Sequence, residues 1–145
     1  MNIHPAFIHF PIVLTCFYAA LELFPWNAYW PRTWWEPMRR FFLFTAVPFA
    51  ALTVITGLLA VEEFGETPAS EVHEHAALIF LAVLIVTAAL DFYRNNKGDS
   101  AVLQILQRLL AFIALVMVFV VGALGAYLIH GDIDPFVTFI HGLFF

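Results

Sequence analysis

Six histidines are the residues of this chain best suited to chemistry, and they are unevenly spread. His4 and His9 open it in M-N-I-H-P-A-F-I-H-F-P, His73 and His75 form an H-E-H step, and His130 and His141 come near its end. Neutral imidazole is the commonest transition-metal ligand and a frequent axial ligand of haem iron, so histidines gathered at one level could hold either. The H-x-H spacing is weak by itself, and neither H-E-x-x-H nor C-x-x-C-H occurs. His9 carries the most weight, because an ionisable side chain inside an apolar run is costly and tends to mark function. His4 and His141 read as amphipathic residues at an interface. Glu22 and Asp91 lie just inside two apolar runs; salt bridging to Arg39, Arg40 or Arg94 is their expected role, and a proton or quinone role is the sharper alternative. Cys16 stands alone, which rules out an intramolecular disulfide, and reads as a small apolar packing residue.

The elements that must position these groups follow from composition. The chain has 145 residues, 63% hydrophobic and only 12% charged, which excludes a water-soluble globular domain and indicates a bilayer protein. Its apolar runs predict four spanning helices, at about residues 5–24, 41–61, 72–93 and 109–129, each near the ~20 residues that cross a bilayer. They form a single all-α domain, a four-helix transmembrane bundle of up-down topology. The first run has no basic n-region and no A-x-A-like site, so it is expected to be retained. Pro5 suits a first helical turn, whereas Pro11 removes a bond to the Phe7 carbonyl and predicts a bend near His9. Residues 25–40 hold all four tryptophans, Tyr29, three prolines and three arginines, and read as an interfacial loop. Thr53, Thr56, Gly57 and Ala60 make a small, weakly polar face expected to turn into the bundle, and Gly122, Gly125 and Ala126 offer close approach in the last helix. Ser70 is the expected N-cap of the third helix and Gly131 the C-cap of the fourth. The tail from Phe136 to Phe145 is apolar but too short to span, and reads as an interfacial or partner-packed segment.

Charge decides the orientation. All six basic residues, Arg32, Arg39, Arg40, Arg94, Lys97 and Arg108, follow the first and third runs. The positive-inside rule makes that side cytoplasmic and places both termini outside, in a periplasm if the organism is Gram-negative. Every histidine then falls at the outer end of a helix or beyond it, with Glu62, Glu63, Glu66, Glu71, Glu74, Asp132 and Asp134 on the same side. If the first helix starts near Pro5, His9 is about 6 Å along it, within reach of a layer containing the start of the third helix and the end of the fourth. His73 and His75 are about 200° apart on a helix, so at most one can face the core.

The opening H-P-A-F-I-H-F-P-I-V-L, the Thr56-Gly57 pair, H-E-H-A at His73 and the closing G-A-Y-L-I-H-G together resemble the bacterial predicted membrane proteins grouped as domain of unknown function 2231. The resemblance covers nearly the entire chain. It implies a four-helix membrane protein without assigned catalytic residues; some relatives are joined to Rieske iron–sulfur domains, which implies a redox setting. The recurrent histidines of the family match His4, His9, His75 and His130, and its usual basic residue before the last of these is Ile129 here.

These readings converge on a small integral subunit of a larger membrane redox complex, without catalytic activity of its own. It is expected to bind haem b, or alternatively a transition-metal ion, through His9 with His75 and/or His130, and with His73 as a further candidate. The alternative is a cofactor-free accessory or assembly subunit packed against larger membrane partners or copies of itself. A proton-coupled transporter using Glu22 and Asp91 ranks lower, since the runs show no inverted repeat. Beyond the bilayer and such a complex, no nucleic-acid partner is expected.

Overall fold

The computed structural model describes residues 4–64, 67–130 and 142. The apolar runs become four helices, α1 (His4–Leu23), α2 (Arg32–Phe64), α3 (Pro68–Lys97) and α4 (Ala101–His130), with no strand among the described residues. Each helix packs on two neighbours in cyclic order, α1 on α2, α2 on α3, α3 on α4 and α4 on α1. Contacts near the ends fix the directions. Thr53 Oγ1, late in α2, lies 3.2 Å from the Phe7 carbonyl oxygen early in α1, while Glu22 at the end of α1 meets Arg39 early in α2. The His73 imidazole near the start of α3 lies against Gly125 near the end of α4. The result is the up-down four-helix bundle expected from the sequence.

The interior is built largely from small side chains. Ala46, Ala50, Ala88, Ala111 and Ala114 surround Tyr18, Leu43, Phe80 and Leu84, and a second cluster of Ala76, Ala123 and Leu124 lies toward the histidine end. Without water to drive apolar side chains together, helices in lipid associate through close backbone approach, which alanine permits. The large apolar residues point the other way: Phe10, Phe17, Ile79, Val86, Phe112 and Phe119 are exposed on the bundle surface. Among the described residues, three helices are long and apolar enough to cross a membrane, and the apolar part of α1, Phe7–Leu23, is shorter.

The helix ends differ from the expected ones. α2 begins at Arg32, so much of the expected loop over residues 25–40 is helical, leaving a 3-10 turn at Trp26–Ala28 as the connection. Prolines and tryptophans there suggest a loop, yet Pro37 is only the sixth residue of α2 and removes a single bond, to the Thr33 carbonyl. The 33 residues of α2 extend about 50 Å, well past a ~30 Å hydrocarbon core. α3 begins at Pro68 rather than near residue 72, and its N-cap is Thr67, not Ser70. The two residues form a capping box: Thr67 Oγ1 accepts from the Ser70 N–H at 3.1 Å, and Ser70 Oγ accepts from the Thr67 N–H at 2.8 Å. α4 starts at Ala101, eight residues before the expected 109, with Ser100 Oγ accepting the Leu103 N–H at 3.3 Å. The polar pair Gln104 and Gln107, which precedes the fourth apolar run, lies within the helix. α1 runs through Pro11 as one helix. Gly131 and, apart from residue 142, the tail 136–145 lie outside the described residues.

Candidate functional site

At the basic end, the early start of α2 brings Arg39 into the bundle. Its side chain, only 5% exposed, donates from Nη1 to Glu22 Oε2 of α1 at 2.7 Å and from Nη2 to Asp91 Oδ1 of α3 at 2.5 Å. One guanidinium therefore joins three helices through two separate carboxylates, a geometry that its planar fork of donors supports and a lysine ammonium does not. Asp91, 2% exposed, also forms an ion pair with Arg40, whose Nε lies 3.0 Å from its second oxygen. Arg94 Nη1 lies 3.9 Å from Glu22 Oε1, an ion-pair separation too long for a hydrogen bond. The Arg94 Nε and Nη2 atoms grip Asp99 at 3.0 and 3.1 Å, and Gln104 Nε2 donates to the same carboxylate at 3.0 Å. The Arg94 hydrogen bonds, together with the Gln104 bond and the more distant Arg32, hold the Asp99 carboxyl below the usual carboxylate range despite some desolvation.

The polar construction continues deeper into the bundle. Gln107 of α4 is fully buried and donates from Nε2 to Tyr18 Oη at 2.8 Å and to the Thr87 carbonyl at 3.2 Å. Tyr18, Thr87 and Gln107 thus join α1, α3 and α4 just inside the layer where Arg39 joins α1, α2 and α3. Chemically this is a clamp. The expected pairing of Glu22 and Asp91 with Arg39, Arg40 and Arg94 is present: Glu22 Oε2 and Asp91 Oδ1 accept from Arg39, and Glu22 Oε1 and Asp91 Oδ2 make ion-pair contacts with Arg94 and Arg40. Around it, Trp26 Nε1 donates to the Ala20 carbonyl at 3.0 Å, and Trp26 stacks on Trp30 with ring centroids 5.0 Å apart.

The histidines occupy the other end. His9 on α1 and His75 on α3 are exposed on the bundle surface, whereas His73 is half-buried. The opposite exposure of His73 and His75 is what a helix imposes on residues two apart. A Cβ added at Gly125 would lie 3.2 Å from His73 Cε1, so the glycine makes room for the ring. Gly122 has open space around it and no such role. His130 is the last residue of α4, at the same end of the bundle; its side chain and that of His4 lie outside the described residues, as does His141. The structure therefore brings the helix positions of His9, His73, His75 and His130 to one end, with the His9 and His75 rings facing outward. Among the described residues, no three His, Cys, Asp or Glu side chains are grouped to hold a metal ion.

Sequence reasoning missed Gln107, Tyr18, Asp99 and Trp35 as parts of the basic-end assembly. Gln107 had a signal, an amide between apolar residues at helical spacing, which its place in the polar stretch 94–108 obscured.

An up-down bundle with alanine inside, phenylalanine outside and its basic residues at one end is an integral membrane protein. The chain belongs to the predicted membrane protein family DUF2231, whose model matches residues 1–132. No curated protein matches the chain, and no solved structure does.

Proposed function

We propose that the protein is a small subunit of a larger redox complex in the bacterial inner membrane, with both termini outside, and that its histidine end meets a partner. His9 of α1 or His75 of α3, with His130 at the end of the intervening α4, supplies ligands there to haem b or a transition-metal ion. The observation that supports this reading is the outward exposure of His9 and His75 on a surface otherwise rich in large apolar residues. An imidazole turned toward lipid is costly, and a cofactor or partner group accounts for its place. Because α1 and α3 are diagonal and each ring faces away from the bundle interior, the remaining ligands to such a cofactor come from the partner's side of the contact.

A second reading shares the contact but not the cofactor: His9 and His75 hydrogen-bond a partner, and the chain is an accessory subunit. Purification of the tagged chain from native membranes in mild detergent distinguishes them. The first reading expects co-purifying membrane partners with stoichiometric haem or metal, and His9→Ala lowers the cofactor content. Partners with haem and metal at background support the second, and a chain isolated without partners contradicts both.

A further inference from the structure

At the basic end, a cavity between the end of α1 and the starts of α2 and α4 contains an imbalance of donors over acceptors. Two buried N–H donors that line it, Trp35 Nε1 and Arg94 Nη1, have no hydrogen-bond partner among the described residues. The Arg94 side chain is 10% exposed, so bulk water does not satisfy it. Buried donors are almost always paired, and an orphaned one costs roughly 1–3 kcal/mol, more when charged. The two residues that carry them line the same cavity. The cavity walls also include Arg32, Arg39 and Arg108 against Glu22 and Glu36, four guanidiniums in all to two carboxylates. Glu22 is already committed to Arg39. Arg108 is exposed and makes no ion pair among the described residues, leaving its donors available.

The cavity has a volume of about 30 Å³, room for two or three waters or one small oxyanion. It adjoins a wider cleft of about 260 Å³ that shares Arg32, Glu36, Arg39 and Arg94. Arg32 and Arg94 are also met by Asp99, so the groups that remain for a ligand are the two orphaned donors and Arg108, with Glu36 the one wall carboxylate that makes no ion pair among the described residues. We propose that the cavity binds a phosphate-type oxyanion, whose oxygens accept from Trp35 Nε1 and Arg94 Nη1 and whose charge is met by Arg108. A free phosphate and the headgroup of an anionic phospholipid present the same oxygens. Arginine forks suit such groups. The position at a helix-end layer ringed by tryptophan is also the depth at which a lipid phosphate lies.

The test uses the full chain in detergent and native mass spectrometry. Phosphatidylglycerol or phosphatidylcholine is added in one arm, and inorganic phosphate in the other. Trp35→Phe removes a donor that has no protein partner, and Arg108→Gln removes an exposed charge, so both variants are expected to fold; helicity by circular dichroism checks this. The expected result is selective retention of phosphatidylglycerol by the unaltered chain, weakened roughly tenfold or more in each variant, as loss of one charge-assisted hydrogen bond predicts. Displacement by inorganic phosphate identifies a free anion as sufficient, and resistance to it identifies the lipid headgroup. Equal retention of both lipids by all three chains, with no binding of phosphate, overturns the proposal.

Discussion

Removing the Arg39 side chain would leave Glu22 and Asp91 buried at 8% and 2% exposure without the cation that bridges them. Arg39→Ala is therefore expected to destabilise the bundle by about 3–5 kcal/mol, the usual cost of stranding buried charge, measured as loss of helicity on denaturant titration in detergent. Arg39→Lys is expected to recover only part of this, because a point charge cannot donate to both carboxylates in the Arg39 geometry. A wild-type-like Arg39→Ala would show the ion pairs to be dispensable. Glu22, Asp91 and the three arginines near them were legible as a group from their places at the ends of apolar runs. Which arginine lies at the centre was not, since that depends on α2 beginning at Arg32 and carrying Arg39 inside the bundle. The histidines show the reverse: their common end was legible from charge topology, but the outward facing of His9 depends on the rotation of α1 against its neighbours, which hydropathy does not specify.

At the scale of elements, the connection between α3 and α4 combines a backbone constraint with an ionic one. Gly98 has φ 100 and ψ 154, a conformation almost confined to glycine, and a Cβ there would meet open space. Gly98→Ala is expected to cost about 1–3 kcal/mol through backbone strain alone, seen as a lowered unfolding midpoint. Beside it, Asp99 has its carboxyl pKa lowered, by Arg94 above all. Its folded form binds a proton less readily than the unfolded chain. Its contribution is therefore complete above the ordinary carboxylate range and is lost as pH falls through the lowered value. Hydrogen-exchange protection at residues 98–104, corrected for the intrinsic pH dependence of amide exchange, should fall on acidification in the unaltered chain, and Asp99→Asn should remove that acid response; an unchanged response would assign it to another group. The number and order of the helices were readable from four apolar runs. Their ends were not, because Pro37, Gln104 and Gln107 look like loop residues until tertiary contacts hold them in helices.

Over the whole molecule, the two ends of the bundle are chemically different. One is closed by ion pairs and ringed by aromatic residues; at the other, His9 and His75 face out. The proposed orientation, with the basic end cytoplasmic, predicts that Ser100→Cys reacts with a membrane-impermeant maleimide from the cytoplasmic side and Thr67→Cys from the outer side. The reverse pattern would invert the proposed topology. The bilayer setting was legible because composition alone places large apolar residues where water cannot cover them. What the outward histidines meet was not legible, since that depends on a second surface. The most direct measurement is the reduced-minus-oxidised absorption spectrum, with metal analysis, of the complex purified from native membranes through this chain. A haem b or metal signal in stoichiometric amount, lost on His9→Ala without loss of helicity, is the predicted result. A featureless spectrum with metals at background, from a complex that retains its partners, would contradict the cofactor-binding role.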